Sequence, residues 1–205
     1  MISCSHHRDF NEITMSIYHV GILVGSLRKE SYNKKIAQFI LEQEESQFSY
    51  RIIDISELPL YNQDFDDEGN PPASYTRFRQ EIAALDAVLF ITAEYNRSVP
   101  AVLKNAIDVG SRPYGKNKWD GKPAAILSSS VGAYGGFGAN HHLRQSLVFV
   151  NLLTMQQPEA YLGDITTCLG TDGKVESQKT KDFLRSFKNA FEQWAERIIH
   201  TKGQD

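Results

Sequence analysis

Three stretches of this 205-residue chain carry side chains that a plain turn would not need. The first is Gly25-Ser-Leu-Arg-Lys-Glu-Ser-Tyr-Asn33, which runs into a helical pattern. It offers the hydroxyls of Ser26 and Ser31, the guanidinium of Arg28, the amide of Asn33 and the start of a helix. Unpaired N–H groups and the helix dipole favour a phosphate there. The loop is no Walker sequence and lacks the Gly-x-Gly-x-x-Gly of a dinucleotide site. Hydroxyls in place of glycines suit a terminal monophosphate. An ordinary capped turn with a surface arginine has the same composition.

The second stretch is Thr92-Ala-Glu-Tyr-Asn-Arg-Ser98, an acid, an aromatic, an amide and a cation directly after an apolar run. A planar heterocycle can stack near Tyr95 and take hydrogen bonds from the Glu94–Arg97 backbone and from Asn96. The bland alternative has Tyr95 packing on its own domain and Asn96 capping a turn. The third is Ser128-Ser-Ser-Val-Gly-Ala-Tyr-Gly-Gly-Phe-Gly138, whose glycines let a backbone lie flat against a ring. It contains no Gly-x-Ser-x-Gly elbow, which argues against a serine hydrolase.

Positioning these stretches requires buried strands ahead of them. Ile17–Val24, Tyr50–Ile55, Ala87–Thr92, Pro123–Ser128 and a run near Leu153–Gln157 read as strands. Between them lie helical stripes: Ile36, Phe39 and Ile40 through Gln43; Tyr75, Phe78, Ile82 and Leu85; Val102, Leu103, Ala106 and Ile107, ended by Gly110; and Leu143, Leu147 and Val150. Ser98 is the expected cap of the third helix, with Val99 and Pro100 in its first turn. A last helix spans about Ser177 to Ile199. Strands alternating with helices imply parallel pairing and right-handed crossovers. The expected fold class is α/β: one three-layer, doubly wound domain over 16–202 with a five-stranded parallel sheet, flavodoxin-like order 2-1-3-4-5. In such sheets ligands lie beyond the carboxyl ends of the strands, where the order reverses.

Composition excludes other classes. Lys and Arg total 22 against 25 Asp and Glu, a net charge of −3, so a dedicated nucleic-acid binder is not expected. Nor is the chain acidic enough to be a carrier that docks through charge alone. Two cysteines make no disulfide framework. No apolar stretch approaches the roughly 20 residues of a membrane helix, and the polar N-terminus does not read as a secretory signal. The expected location is cytoplasmic. Residues 1–15 read as a loose extension, with Met15 an alternative start. The acidic stretch Asp64–Glu68 and the pair His141-His142 read as a solvated loop and as satisfied surface or interface histidines, with no metal expected at either.

Together with Ser98-Val-Pro-Ala-Val-Leu-Lys-Asn-Ala-Ile-Asp108 and Gly121-Lys-Pro, the first two loops resemble the NADPH-dependent FMN reductases, nearest the branch of quinone, chromate and azo-dye reductases. The resemblance covers about residues 17–160. It implies an FMN-dependent oxidoreductase that takes hydride from NADPH or NADH and passes electrons to quinones, flavins, chromate or azo compounds. A flavodoxin-type carrier and a non-catalytic nucleotide-binding protein are the alternatives. Carried over by position, Ser26, Arg28, Ser31, Tyr32 and Asn33 would hold the FMN phosphate. Glu94, Tyr95, Asn96 and Arg97 would edge the isoalloxazine, with Ser128 and the Gly132–Gly136 backbone (Gly132 and Gly135 foremost) alongside. Arg97 would also favour a reduced, anionic ring by its charge. No catalytic acid or base is implied, and members are homodimers or homotetramers. Three residues depart from the family pattern. Ala93 replaces a proline, Val109 replaces an aromatic, and Tyr134 with Phe137 replace smaller residues at the mouth expected over the flavin, where they would bear on acceptor preference.

Overall fold

A computed structural model describes residues 17–43 and 46–202; the expected extension, 1–15, lies outside them. The elements are β1 (Tyr18–Gly25), α1 (Tyr32–Leu41), β2 (Phe48–Ile52), α2 (Asp64–Asp67), α3 (Ala73–Ala83), β3 (Ala87–Thr92), α4 (Ala101–Gly110), β4 (Pro123–Ser129), α5 (Phe137–Phe149), β5 (Leu153–Thr154), β6 (Ala160–Leu162) and α6 (Gln178–Lys202). The sheet runs β2-β1-β3-β4-β5 with every pair parallel, the expected flavodoxin-like order.

Alternation along the strands divides the core in two. Val20, Ile22 and Val24 face α1 and α6, where Ile36, Ile40, Leu184, Phe187 and Phe191 are buried. Leu23, Val88 and Phe90 face the other way, onto Tyr75, Phe78 and Ile82 of α3, Leu103 and Ile107 of α4, and Leu143 and Leu147 of α5. β3 is buried at all six positions because sheet neighbours and both helical layers enclose it. Each such aliphatic or aromatic side chain contributes roughly 1.5–3 kcal/mol by leaving water.

Four local expectations are corrected. The fifth strand does not continue from Leu153 to Gln157. β5 pairs with Pro123 and Ala124, and β6 pairs farther along β4 with Leu127–Ser129. Gln156-Gln157-Pro158 separates the two, and Pro158 has no N–H for a ladder. β2 begins at Phe48 and stops at Ile52. Beyond it Asp54 accepts the Ser56 N–H at 2.9 Å, which together with a nearby cation field holds the Asp54 carboxyl below its usual range. Ser98 does not cap α4, which starts at Ala101 after Pro100; a tight turn claims Ser98 instead. Finally, the acidic stretch is not simply solvated. Asp66 is buried in a two-pronged pair with Arg79, at 2.6 and 2.7 Å, while Arg79 Nε donates to the Val109 carbonyl at 2.9 Å.

Candidate functional site

The order reverses between β1 and β3, and the three loops of interest leave the carboxyl ends of β1, β3 and β4. In the first, Ser31 is the N-cap of α1: its backbone is extended and its Oγ accepts the Lys34 N–H at 3.3 Å. Ser26 and Ser31 are buried at the base of the loop, whereas Arg28 is exposed. Among the described residues, the backbone N–H groups of 27–30, 32 and 33 have no acceptor, while a hydrogen-bonded turn over 29–30 occupies that of Ser31. Six donors without a protein acceptor around one helix start, flanked by two hydroxyls and a guanidinium, are a cradle suited to an anion. Tyr32 lies beneath it, with Arg28 and Lys35 each 5.8 Å from its ring centre. The Asn33 side chain turns inward, and its Oδ1 accepts the Ser129 hydroxyl at 2.9 Å. Asn33 keeps its backbone N–H and its Nδ2 amide as donors.

The second loop is a two-residue hairpin. Tyr95 and Ser98 exchange both backbone hydrogen bonds at 3.0 Å, and Asn96 and Arg97 sit at φ 51° and 63°. Two consecutive positive φ values define a type I′ turn, which Asn tolerates better than Arg. The Asn96 and Arg97 amides have no acceptor among the described residues. Tyr95, Asn96 and Arg97 are exposed, but Glu94 is not. The Glu94 carboxylate accepts the Ala139 N–H of α5 at 3.0 Å and lies 3.4 Å from Arg97 Nη1. Only the Glu94 backbone is left to face a ring.

In the third loop, Ser128 is fully buried, donating to the Ala160 carbonyl and accepting from Asn140 Nδ2, each at 3.4 Å. A Cβ on Gly135 would fall 2.7 Å from the Tyr161 carbonyl carbon, so that glycine serves packing against β6. Gly132 is exposed with open space around it. Tyr134 and Phe137 stand out at the mouth, 73% and 50% exposed. The Arg97 guanidinium lies 5.7 Å from the Tyr134 ring centre, bridging the second and third loops. Phe137 packs 4.2 Å from the His141 ring, and His141 Nε2 meets the Tyr161 hydroxyl at 3.0 Å. Burial first, then a hydrogen bond with Glu159, pushes the Tyr161 phenol up to about 12. His142 points elsewhere, its Nδ1 3.1 Å from Ser98 Oγ. Both histidines are thus satisfied by hydroxyls. A cavity of about 570 Å³ between α1 and α6 lies away from these loops, lined by charges that pair with each other, such as Lys188 and Glu192 at 2.9 Å.

Sequence reasoning missed Ser129, Glu159 and Tyr161. Ser129 had a visible signal, a hydroxyl at the carboxyl end of a central strand. The other two depend on β6, which was not foreseen.

Comparison with known proteins identifies the family. A quinone reductase of Pseudomonas putida is 54% identical over 178 residues, spanning 87% of this chain and 95% of that protein. A 2-hydroxy-1,4-benzoquinone reductase of a Burkholderia species is 41% identical over 85% of this chain and 94% of its own length. The solved structure of FerB, a flavoenzyme NAD(P)H:(acceptor) oxidoreductase from Paracoccus denitrificans, superposes with a TM-score of 0.82 at 40% identity, covering 89% of this chain and 99% of that one. Residues 18–167, which carry all three loops, match the family described as NADPH-dependent FMN reductase, and the chain belongs to that family.

Proposed function

We propose that this protein is an NAD(P)H-dependent FMN oxidoreductase whose acceptors are quinones. The observation that carries the reading is the cradle at the start of α1: six amides without protein acceptors, with the Ser26 and Ser31 hydroxyls beside them. That donor set fits a terminal phosphate dianion, and the exposed Asn96–Arg97 turn beside it fits the edge of a flat ring. Bound FMN would supply hydride acceptance from a reduced nicotinamide and electron delivery to an acceptor.

The chain's own residues bind and orient. Ser26, Ser31 and the amides through Asn33 hold the phosphate, Arg28 adds charge from the rim, and Tyr32 supports the loop from below. The exposed Tyr95 side chain and the Asn96 and Arg97 amides would border the ring, and the exposed Gly132 would leave its face open. Glu94 and Ser128 act through hydrogen bonds to neighbouring elements, and Gly135 through packing. With FMN bound, the Arg97 guanidinium would add positive charge at the ring's edge. Hydride acceptance by bound FMN would demand no acid or base from this chain, and the proton that completes a hydroquinone would come from solvent. We also infer a homodimer or homotetramer, for which Val148 and Phe149, 69% and 83% exposed at the end of α5, offer apolar surface, and a cytoplasmic location. No helix among the described residues is long and apolar enough to cross a membrane.

The test is direct. Purified protein is expected to carry or take up one FMN per chain and to consume NADPH or NADH when a benzoquinone is supplied. Arg28→Ala should retain less FMN with its fold intact. Colourless protein that gains no chromophore on titration with FMN refutes the reading.

A further inference from the structure

Helix α5 starts on a residue that cannot cap it. Gly136 occupies the N-cap at φ 79° without a side chain, so the first amides of the helix need an acceptor from elsewhere. Glu94 reaches across from the second loop to provide one, its Oε2 3.0 Å from the Ala139 nitrogen. Its side chain is only 13% exposed, and its charge suits the positive end of the helix dipole. The approach is close enough to need a glycine: a Cβ on Gly138 would fall 2.9 Å from both the Arg97 carbonyl oxygen and Glu94 Oε2. Three residues beyond Ala139, on the same helix face, His142 Nδ1 meets Ser98 Oγ at 3.1 Å. The turn is therefore fastened to α5 at both of its ends. It needs fastening, because neither Asn96 nor Arg97 is a glycine and both hold positive φ. Such backbone persists only where its surroundings over-determine it.

We propose that Glu94 is a positioning residue for the flavin ring. By clasping the Tyr95–Ser98 turn to α5 it presents the free Asn96 and Arg97 amides in one geometry, and its own carboxylate, engaged by Ala139 and Arg97, makes no contact with the ring. The inference rests on the flavin reading of the site. Wild type, Glu94→Ala, Glu94→Gln and Gly138→Ala are titrated with FMN and with riboflavin by flavin fluorescence quenching, alongside thermal melts of each. Glu94→Ala is expected to weaken both flavins by the same factor, about tenfold or more, the scale of a lost hydrogen bond to a charged group. The equal loss arises because only the ring half of the site is disturbed. Glu94→Gln should recover most of the affinity, since an amide oxygen still accepts from Ala139. Gly138→Ala, pressing on the same contact from the helix side, should resemble Glu94→Ala. A residue that merely holds the fold would move the melting temperature and leave flavin affinity alone. Parent-like affinity in folded Glu94→Ala overturns the clasp, as does a loss confined to FMN; parent-like affinity in Gly138→Ala does the same should Glu94→Ala not fold. Failure of the wild type to bind either flavin overturns the reading of the site instead.

Discussion

Ser31 has two roles that a pair of substitutions separates. It caps α1 through the Lys34 N–H, and its hydroxyl belongs to the proposed phosphate cradle. Ser31→Ala removes both. The lost cap costs roughly 0.5–2 kcal/mol, which for a chain of this size lowers the melting temperature by about 1–8 °C. The lost donor to a charged group is worth roughly 1.5–3 kcal/mol, or about ten- to a hundredfold in FMN affinity. Ser31→Asp keeps the cap, since Asp ranks with Ser at that position and negative charge suits a helix start. The apo protein should melt at the parent temperature or slightly above it. The same carboxylate, however, repels a phosphate. Two unit charges about 4 Å apart at an effective dielectric of about 20 interact by roughly 4 kcal/mol, so FMN affinity should fall at least about a hundredfold. Riboflavin, with no phosphate, should bind both variants as it binds the parent. Melts of apo protein and fluorescence titrations with both flavins read these quantities. Ser31→Asp that holds FMN like the parent, or that loses riboflavin as much as FMN, refutes the phosphate assignment.

Three further outcomes follow from the geometry. Asp66→Ala strands the buried Arg79 guanidinium, and breaking such a pair costs about 3–5 kcal/mol; urea unfolding should show the lower midpoint while FMN retention stays unchanged, and a parent midpoint would contradict it. Stability should be complete below pH 10 and decline toward about 12, because burial and Glu159 favour the neutral Tyr161 phenol in the folded chain alone. Tyr161→Phe should make that alkaline decline shallower, with Tyr50, raised by burial and Glu192, supplying the rest; an identical pH profile would count against it. Tyr134→Ala and Phe137→Ala should change the kcat/KM ratio between a quinone and chromate by about fivefold, the scale of one aromatic contact, with FMN affinity unchanged; constant ratios would remove both residues from acceptor selection.

The parts of the fold legible in the sequence were those set by local period. β3 announced itself as an unbroken apolar run because both of its faces are covered, and α3 showed Tyr75, Phe78 and Ile82 at helical steps because one face is. What failed to show depended on partners distant in the chain. The split between β5 and β6 follows from where β4 offers free edge, which no window around Leu153 contains. Asp66 sat in an acidic run and read as wet. Its burial depends on Arg79, one and a half helical turns beyond a loop, and on the Val109 carbonyl from another helix. Gly110 read as a helix stop and is the last residue of α4, but its contact with Trp119, whose ring atoms a Cβ would approach to 2.6 Å, was not visible locally.

The site shows the same division, and for a reason that bears on how its motifs work. Ser31 stands at the start of α1 as its loop suggested, because a helix start needs a cap, a local demand. Glu94, by contrast, looks from its neighbours Tyr95, Asn96 and Arg97 like one more group aimed at a ligand. Its partner is a backbone amide 45 residues later. Two features of the sequence nevertheless pointed to that pairing. The chain enters α5 through Gly135-Gly136-Phe137-Gly138, with no side chain able to cap it, and the only acid in the second loop is Glu94. An uncapped helix start beside an unclaimed carboxylate is a matched donor and acceptor. Reading loops in pairs, by which backbone donors one leaves unsatisfied and which acceptors the other has spare, therefore recovers long-range contacts that a motif read alone assigns to the ligand.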